Sequence, residues 1–152
     1  MFKGLFELQS PHDLLMKLRH DYRRIEESPL DQYAAFDFFV TAEHMVDWQY
    51  PHEVDNFKRT GLRNSNVLLQ VCSHIANGSK HFQATAKRHD SVKNAQVHKG
   101  AFQRDAFQAD AFDVSRLVVQ LQGQAAQEFG ELIDVLELAR RVLEFWETYK
   151  KH

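Results

Sequence analysis

The chain has a single cysteine, Cys72, so no disulfide can form within it, and a reducing cytoplasm is the expected setting. No apolar run approaches the ~20 residues that span a bilayer. The start, Met1-Phe2-Lys3-Gly4-Leu5, has no long apolar core of the secretory-signal kind. Neither sign of charge dominates: 19 basic residues face 21 acidic ones, for a net charge of −2. That balance argues against a general nucleic-acid binder, whose domains are usually basic. A glycine-rich phosphate loop, a nucleophile elbow and a dinucleotide fingerprint are all missing.

What is present is an ordinary globular composition, 43% hydrophobic and 26% charged, in 152 residues, enough for one domain with a real core. The charges are unevenly spread. Residues 26–57 hold eight acids and no Lys or Arg. Residues 80–99 hold Lys80, Lys87, Arg88, Lys93 and Lys99 against Asp90 alone, with His81, His89 and His98 among them. Two solvated, mutually attracting faces would explain this; so would a local anion-binding surface on a neutral protein.

Two helix starts share one spelling. Ser10-Pro11-His12-Asp13 and Ser28-Pro29-Leu30-Asp31 each place a capping serine, then proline at the first helical position, then an acid near the positive end of the dipole. A helix is expected over about 11–27, with Leu14, Leu15, Leu18, Tyr22 and Ile25 inward. A second is expected from Pro29 to about Tyr50, stopped by Pro51. Its apolar residues, among them Tyr33, Phe36, Phe38, Phe39, Val40, Met45, Val46 and Trp48, lie on nearly every side, which marks a central helix.

A third helix is expected over about 62–87, with Val67, Leu68, Val71, Ile75 and Phe82 inward. Gly78 within it lowers helix stability by about 1 kcal/mol relative to alanine and allows a kink or a close backbone approach. From 88 to 115 the pattern turns irregular. A five-residue Ala-Phe repeat at 101–113 fits neither helix nor strand, and its rings are expected to dock on the remaining fold. Leu117 to Leu121 is the strand candidate, with a helical turn at Ala125 to Phe129. The final helix opens on Asp134 and Glu137 as a capping box, with Val135, Leu138, Ala139, Val142, Phe145, Trp146 and Tyr149 inward. The expectation is a mainly α fold: one helical-bundle domain over 1–152, of about four helices, with a small β or irregular insertion at 101–133 before the C-terminal helix.

The polar residues that stand out are Gln70, His74, Asn77 and His81, spaced 4, 3 and 4 apart on one helical stripe at the rim of the core. On the second helix, Glu43 and Asp47 lie amid the arc of Phe36, Phe39, Val40 and Val46, with His44 at its edge. Buried carboxylates must be paired. The expected partners are His74, His81 or Lys80, or a bound divalent metal. A structural Asp–His network between the two helices is one reading. A metal site on His44, Asp47, His74 and His81, with Glu43 nearby, is another, since these are suitable ligand types for zinc, manganese or iron. Cys72, with apolar neighbours, is read as a core thiol, and Trp48 and Trp146 as core aromatics.

The third reading is a resemblance. Ile75-Ala76-Asn77-Gly78-Ser79-Lys80-His81 resembles the Arg-Asn-x-x-x-His signature of HEPN domains, small helical nucleotide-binding and ribonuclease modules of prokaryotic defence and toxin systems. Asn77 and His81 fall on that pattern, and Ala76 stands where it has arginine. The resemblance implies nucleotide or RNA binding, with a histidine acting on RNA at a homodimer interface. His81 would be the acid–base group, Asp47 would orient it, and Asn77 would complete the set. Lys80 and Lys87 would contact the anion in place of arginine, without its bidentate fork. The segments 38–48 and 75–82 are also similar to a set of small bacterial and phage-associated proteins without an assigned activity.

Overall fold

The computed structural model describes residues 2–83, 85–98 and 115–152. The Ala-Phe repeat at 101–113 lies outside them. The order is α1 (Pro11–Glu27), α2 (Gln32–Gln49), a 3-10 turn (Glu53–Asp55), α3 (Asn56–Asn64), α4 (Val67–His81), β1 (Val92–His98), β2 (Arg116–Leu121), α5 (Gly123–Phe129), β3 (Leu132–Asp134) and α6 (Val135–Thr148). The class is mainly α, with six α-helices among the described residues instead of about four.

α1 begins as its caps dictate: the Ser10 side chain accepts from the Asp13 amide, and Pro11 opens the first turn. The second serine-proline pair behaves differently. Ser28 closes α1 by donating its N–H to the Arg24 carbonyl, so Pro29 falls in the turn. Asp31 then caps α2, accepting from the amides of Tyr33 and Ala34. The same spelling therefore serves a start in one place and a stop in the other, because Asp31 competes for the cap.

The expected third helix is two helices. Ser65 and Asn66 turn their amides back to Gly61 and Arg63, and the Asn66 side chain caps α4 through the amides of Leu68 and Leu69. α4 stops at His81, six residues earlier than expected, because Phe82 takes a left-handed backbone (φ 62) that cannot continue the helix. Gly78 sits inside α4 without a tight contact: a Cβ at that position would meet nothing within 4 Å. Gly78→Ala is accordingly expected to raise the unfolding free energy by about 1 kcal/mol, measured by urea denaturation.

α2 packs against α1, α3, α4 and α6, which agrees with a central helix, although Tyr33 and Phe36 at its N-terminal half remain exposed. Phe38, Met45 and Val46 sink fully, with Leu18 and Ile25 of α1, Leu69 and Val71 of α4 and Leu138 and Val142 of α6. The stripe expected on α6 is buried at Val135, Leu138, Ala139, Val142 and Trp146, while Phe145 and Tyr149 pack partly against the core. Cys72 is a buried thiol whose pKa burial pushes up, and Trp48 is partly buried at the core's margin.

The strand candidate is found and has two partners. The three-stranded antiparallel sheet runs β1-β2-β3, with His98 opposite Arg116 and Val119 opposite Ile133. β1 occupies residues expected to be irregular. It is an edge strand of mostly exposed residues, so it lacks the apolar alternation that would announce it. β2 is the apolar centre, with Leu117, Val118, Val119 and Leu121 buried, and α6 packs on it. None of the described helices is long and apolar enough to cross a membrane.

Candidate functional site

One face of α2 from Phe36 to Asp47, α3 and the last turns of α4 enclose a cleft of about 730 Å³, with Arg88 from the following segment at its wall. The proline stop after α2 and the polar turn at 64–66 bring α3 back across α2, which places Arg63 above Glu43 and Asp47. The Arg63 guanidinium lies 2.8 Å from the Glu43 carboxylate and 3.2 Å from Asp47. Arg59, one turn earlier on the same helix, lies 3.7 Å from Asp47.

Burial separates the two acids. The Glu43 side chain is 13% exposed and that of Asp47 53%. Burial holds the Glu43 carboxyl above the usual carboxylate range, and the Arg63 charge only partly opposes this. Its second oxygen, Oε2, and the Nε of Arg63 are buried without a partner among the described residues. The expectation that a buried acid must be met holds for Glu43, while Asp47, expected to be buried, is half exposed; the partners of both are arginines of α3, not the histidines of α4. The Asp–His network between the second and third helices is therefore corrected to a carboxylate–arginine network between α2 and α3.

Asn77 and Lys80 line this cleft with Asp47 and the exposed His44. The Asn77 amide donates to the Ser73 carbonyl at 2.8 Å, which fixes its rotamer. His81 does not line it. It is exposed and borders a second cleft of about 360 Å³ with Gln83 and His89; Asn77 and Arg88 belong to both clefts. His74 is drawn away altogether: its Nδ1 accepts from the Val92 amide at 3.0 Å, and its ring stacks on His89 at 5.2 Å between centroids. Lys87 is exposed and lines neither cleft, whereas its neighbour Arg88 lines both.

The proposed ligand set His44, Asp47, His74 and His81 is therefore not assembled. Among the described residues no group of three or more His, Cys, Asp or Glu side chains could hold a metal ion. Asp47 likewise does not orient His81, because its partners are Arg59 and Arg63.

Three residues of the site were missed. Arg88 stands in the basic run beside Lys87, and nothing in the sequence separates the two. Arg59 and Arg63 carried a weaker signal: they are two of the first cations after a long acidic stretch, four residues apart on one helical face. No protein-family model, curated protein or solved structure matches the chain significantly.

Proposed function

We propose that the cleft among α2, α3 and α4 binds a nucleotide-type ligand, free or as single-stranded RNA. One observation carries this reading: a single cleft joins two cations without ion-pair partners among the described residues, Lys80 and Arg88, to a half-exposed aromatic ring, Phe36, and a fixed amide, Asn77. Cations of that kind neutralise phosphate, and an aromatic face stacks a base. Arg63 is already committed to Glu43 and Asp47, so the anion falls to Lys80 and Arg88. The HEPN resemblance of residues 75–81 points to the same ligand class.

Binding of a short single-stranded RNA is expected at low salt and should weaken steadily as salt rises. Lys80→Ala and Arg88→Ala are each expected to weaken it about tenfold and to reduce the salt slope by about one charge. Fluorescence anisotropy across a salt series measures both. Failure to bind at the lowest salt tested rejects the proposal and leaves a non-catalytic interaction module.

RNA cleavage is the second reading, favoured by the placing of His81 in one cleft with Arg88 and Asn77. There His81 would act as acid or base and Arg88 would supply the positive charge that Ala76 lacks. Shortened products on a gel, lost in His81→Ala while RNA binding persists, are the expected result. The dimer that the resemblance implies is tested by light scattering of the same samples.

A further inference from the structure

We propose that the stacked imidazoles of His74 and His89 form a proton-operated clasp that holds residues 85–91 against α4, and that its opening withdraws Arg88 from the cleft. The second half of this statement rests on the ligand reading above; the first does not.

The clasp is built on an acceptor. The Val92 amide donates to Nδ1 of His74 at 3.0 Å, and the Ser91 hydroxyl lies 3.4 Å from the same nitrogen. A ring nitrogen accepts only while it carries no proton. His74 is therefore held as the tautomer protonated on Nε2, and a second proton would displace the Val92 amide. His89 lies over this ring, the two planes 25° apart, with both of its nitrogens buried and without a hydrogen-bond partner among the described residues. Protonating His89 would bury a charge and leave N–H donors unpaired. Protonating both would also place two like charges face to face.

The surroundings agree. Burial lowers the pKa of both histidines, and for His89 the charges of Arg88 and His74 add to the effect. Asp90 opposes it at both rings, and His81 borders the same cleft as His89. On the elements packed against α4, Glu43, Asp47 and Arg63 are committed to one another, as are Glu137, Arg140, Arg141 and Glu144 on α6. Lys93 of β1 and Glu128 of α5 are not among the charges that act on either ring. A histidine whose pKa is lowered on folding stabilises the folded arrangement fully above the ordinary value of 6.5 and loses that contribution as pH falls through its lowered value. The clasp therefore opens on acidification.

What opens is set by the other bonds. Ser91 stays tied to the sheet, because the Gln122 amide donates to its carbonyl at 2.9 Å. On the other side, Arg88 lies within a turn closed by the His89 amide and the Ala86 carbonyl. That turn reaches α4 through the His74–His89 stack, so loss of the stack frees the part of the segment that carries Arg88.

The test is nuclear magnetic resonance of the full chain from about pH 7.5 to about pH 5. Ring nitrogen shifts report each histidine, and hydrogen exchange, corrected for its intrinsic pH dependence, reports the Val92 amide. Val92 protection is expected to fall at least about tenfold in step with protonation of His74. In His74→Asn, which offers an acceptor oxygen that cannot be protonated, it should stay level. Protection that survives protonation of His74, or that falls equally in His74→Asn, overturns the clasp.

The link to Arg88 is read with an RNA pentamer lacking terminal phosphates, whose charge is constant over this range. Acidification makes the protein more cationic and by itself would tighten RNA binding. A several-fold weakening is expected instead, and it should be absent in His74→Asn. Tighter binding at low pH overturns the link. Absence of RNA binding at every pH rejects the ligand reading, and with it the link, while the Val92 measurement still decides the clasp.

Discussion

Arg63→Met is expected to lower the unfolding free energy by about 3 kcal/mol at near-neutral pH, because it strips the cation from a largely buried carboxylate. Glu43 has one oxygen on Arg63 and the other buried with no hydrogen-bond partner among the described residues. Its carboxyl is already held above the usual range by burial, and the charge of Arg63 is the largest influence restraining it. Removing Arg63 pushes that carboxyl higher still. A carboxyl whose pKa rises on folding binds more protons in the folded state, so its penalty grows as pH rises from the ordinary value of 4.5 through the raised one. The deficit of Arg63→Met should therefore shrink when the pH is lowered toward 5. Glu43→Gln is expected to lose less than half as much, since Arg63 keeps Asp47 at 3.2 Å and the amide oxygen can still accept. Urea denaturation of the three proteins at two pH values measures all of this. Equal losses in the two variants, or a deficit for Arg63→Met that does not change with pH, would show that the pair does not hold α3 on α2.

This pairing also marks where the sequence stops being informative. Caps and apolar spacing are local, and they place α1, most of α2, β2, α5 and α6. They fail where two local signals compete. Ser28 can start one helix or end another, and only Asp31 decides. At Asn64-Ser65-Asn66 a continuous apolar stripe concealed a break that the polar triplet announced. β1 fails for another reason: an exposed edge strand buries too little for any alternation to appear. For the site, the need for a partner follows from burial at Glu43, whereas Asp47 is half exposed. Which residue meets them depends on how α3 crosses α2, and nothing in the spacing of the histidines reports that crossing. His74 and His81 share a stripe, yet the chain leaving α4 takes the first for the Val92 amide and leaves the second in a separate cleft.

A buried acid that the sequence did not single out supplies the other large effect. Asp21 of α1 is 1% exposed, deeper than Glu43, and it lies between the buried Leu18 and Ile25 of the helix. Lys17 reaches its carboxylate at 2.6 Å and the Thr41 hydroxyl at 2.9 Å, while Thr41 lies 2.8 Å from the same carboxylate. Arg24 lies 3.6 Å from the other oxygen but is drawn toward Asp37 at 2.6 Å. The network fastens α1 to α2 at mid-length. Lys17→Met retains most of the side-chain volume and removes the charge, leaving a buried carboxylate with one hydroxyl and a shared arginine. It is expected to lower the unfolding free energy by about 3 kcal/mol. Asp21→Asn is expected to cost about 1 kcal/mol, because an amide oxygen still accepts from Lys17 and Thr41 and Lys17 can turn its ammonium to water. Replacing both, as Lys17→Met with Asp21→Leu, should recover most of the loss, since apolar packing can substitute for a buried ion pair but not for half of one. Thermal and urea unfolding of Lys17→Met, Asp21→Leu and the double variant form a cycle. Simple addition of the two losses would mean that Lys17 and Asp21 act separately, and α1 would then be held by its apolar stripe alone.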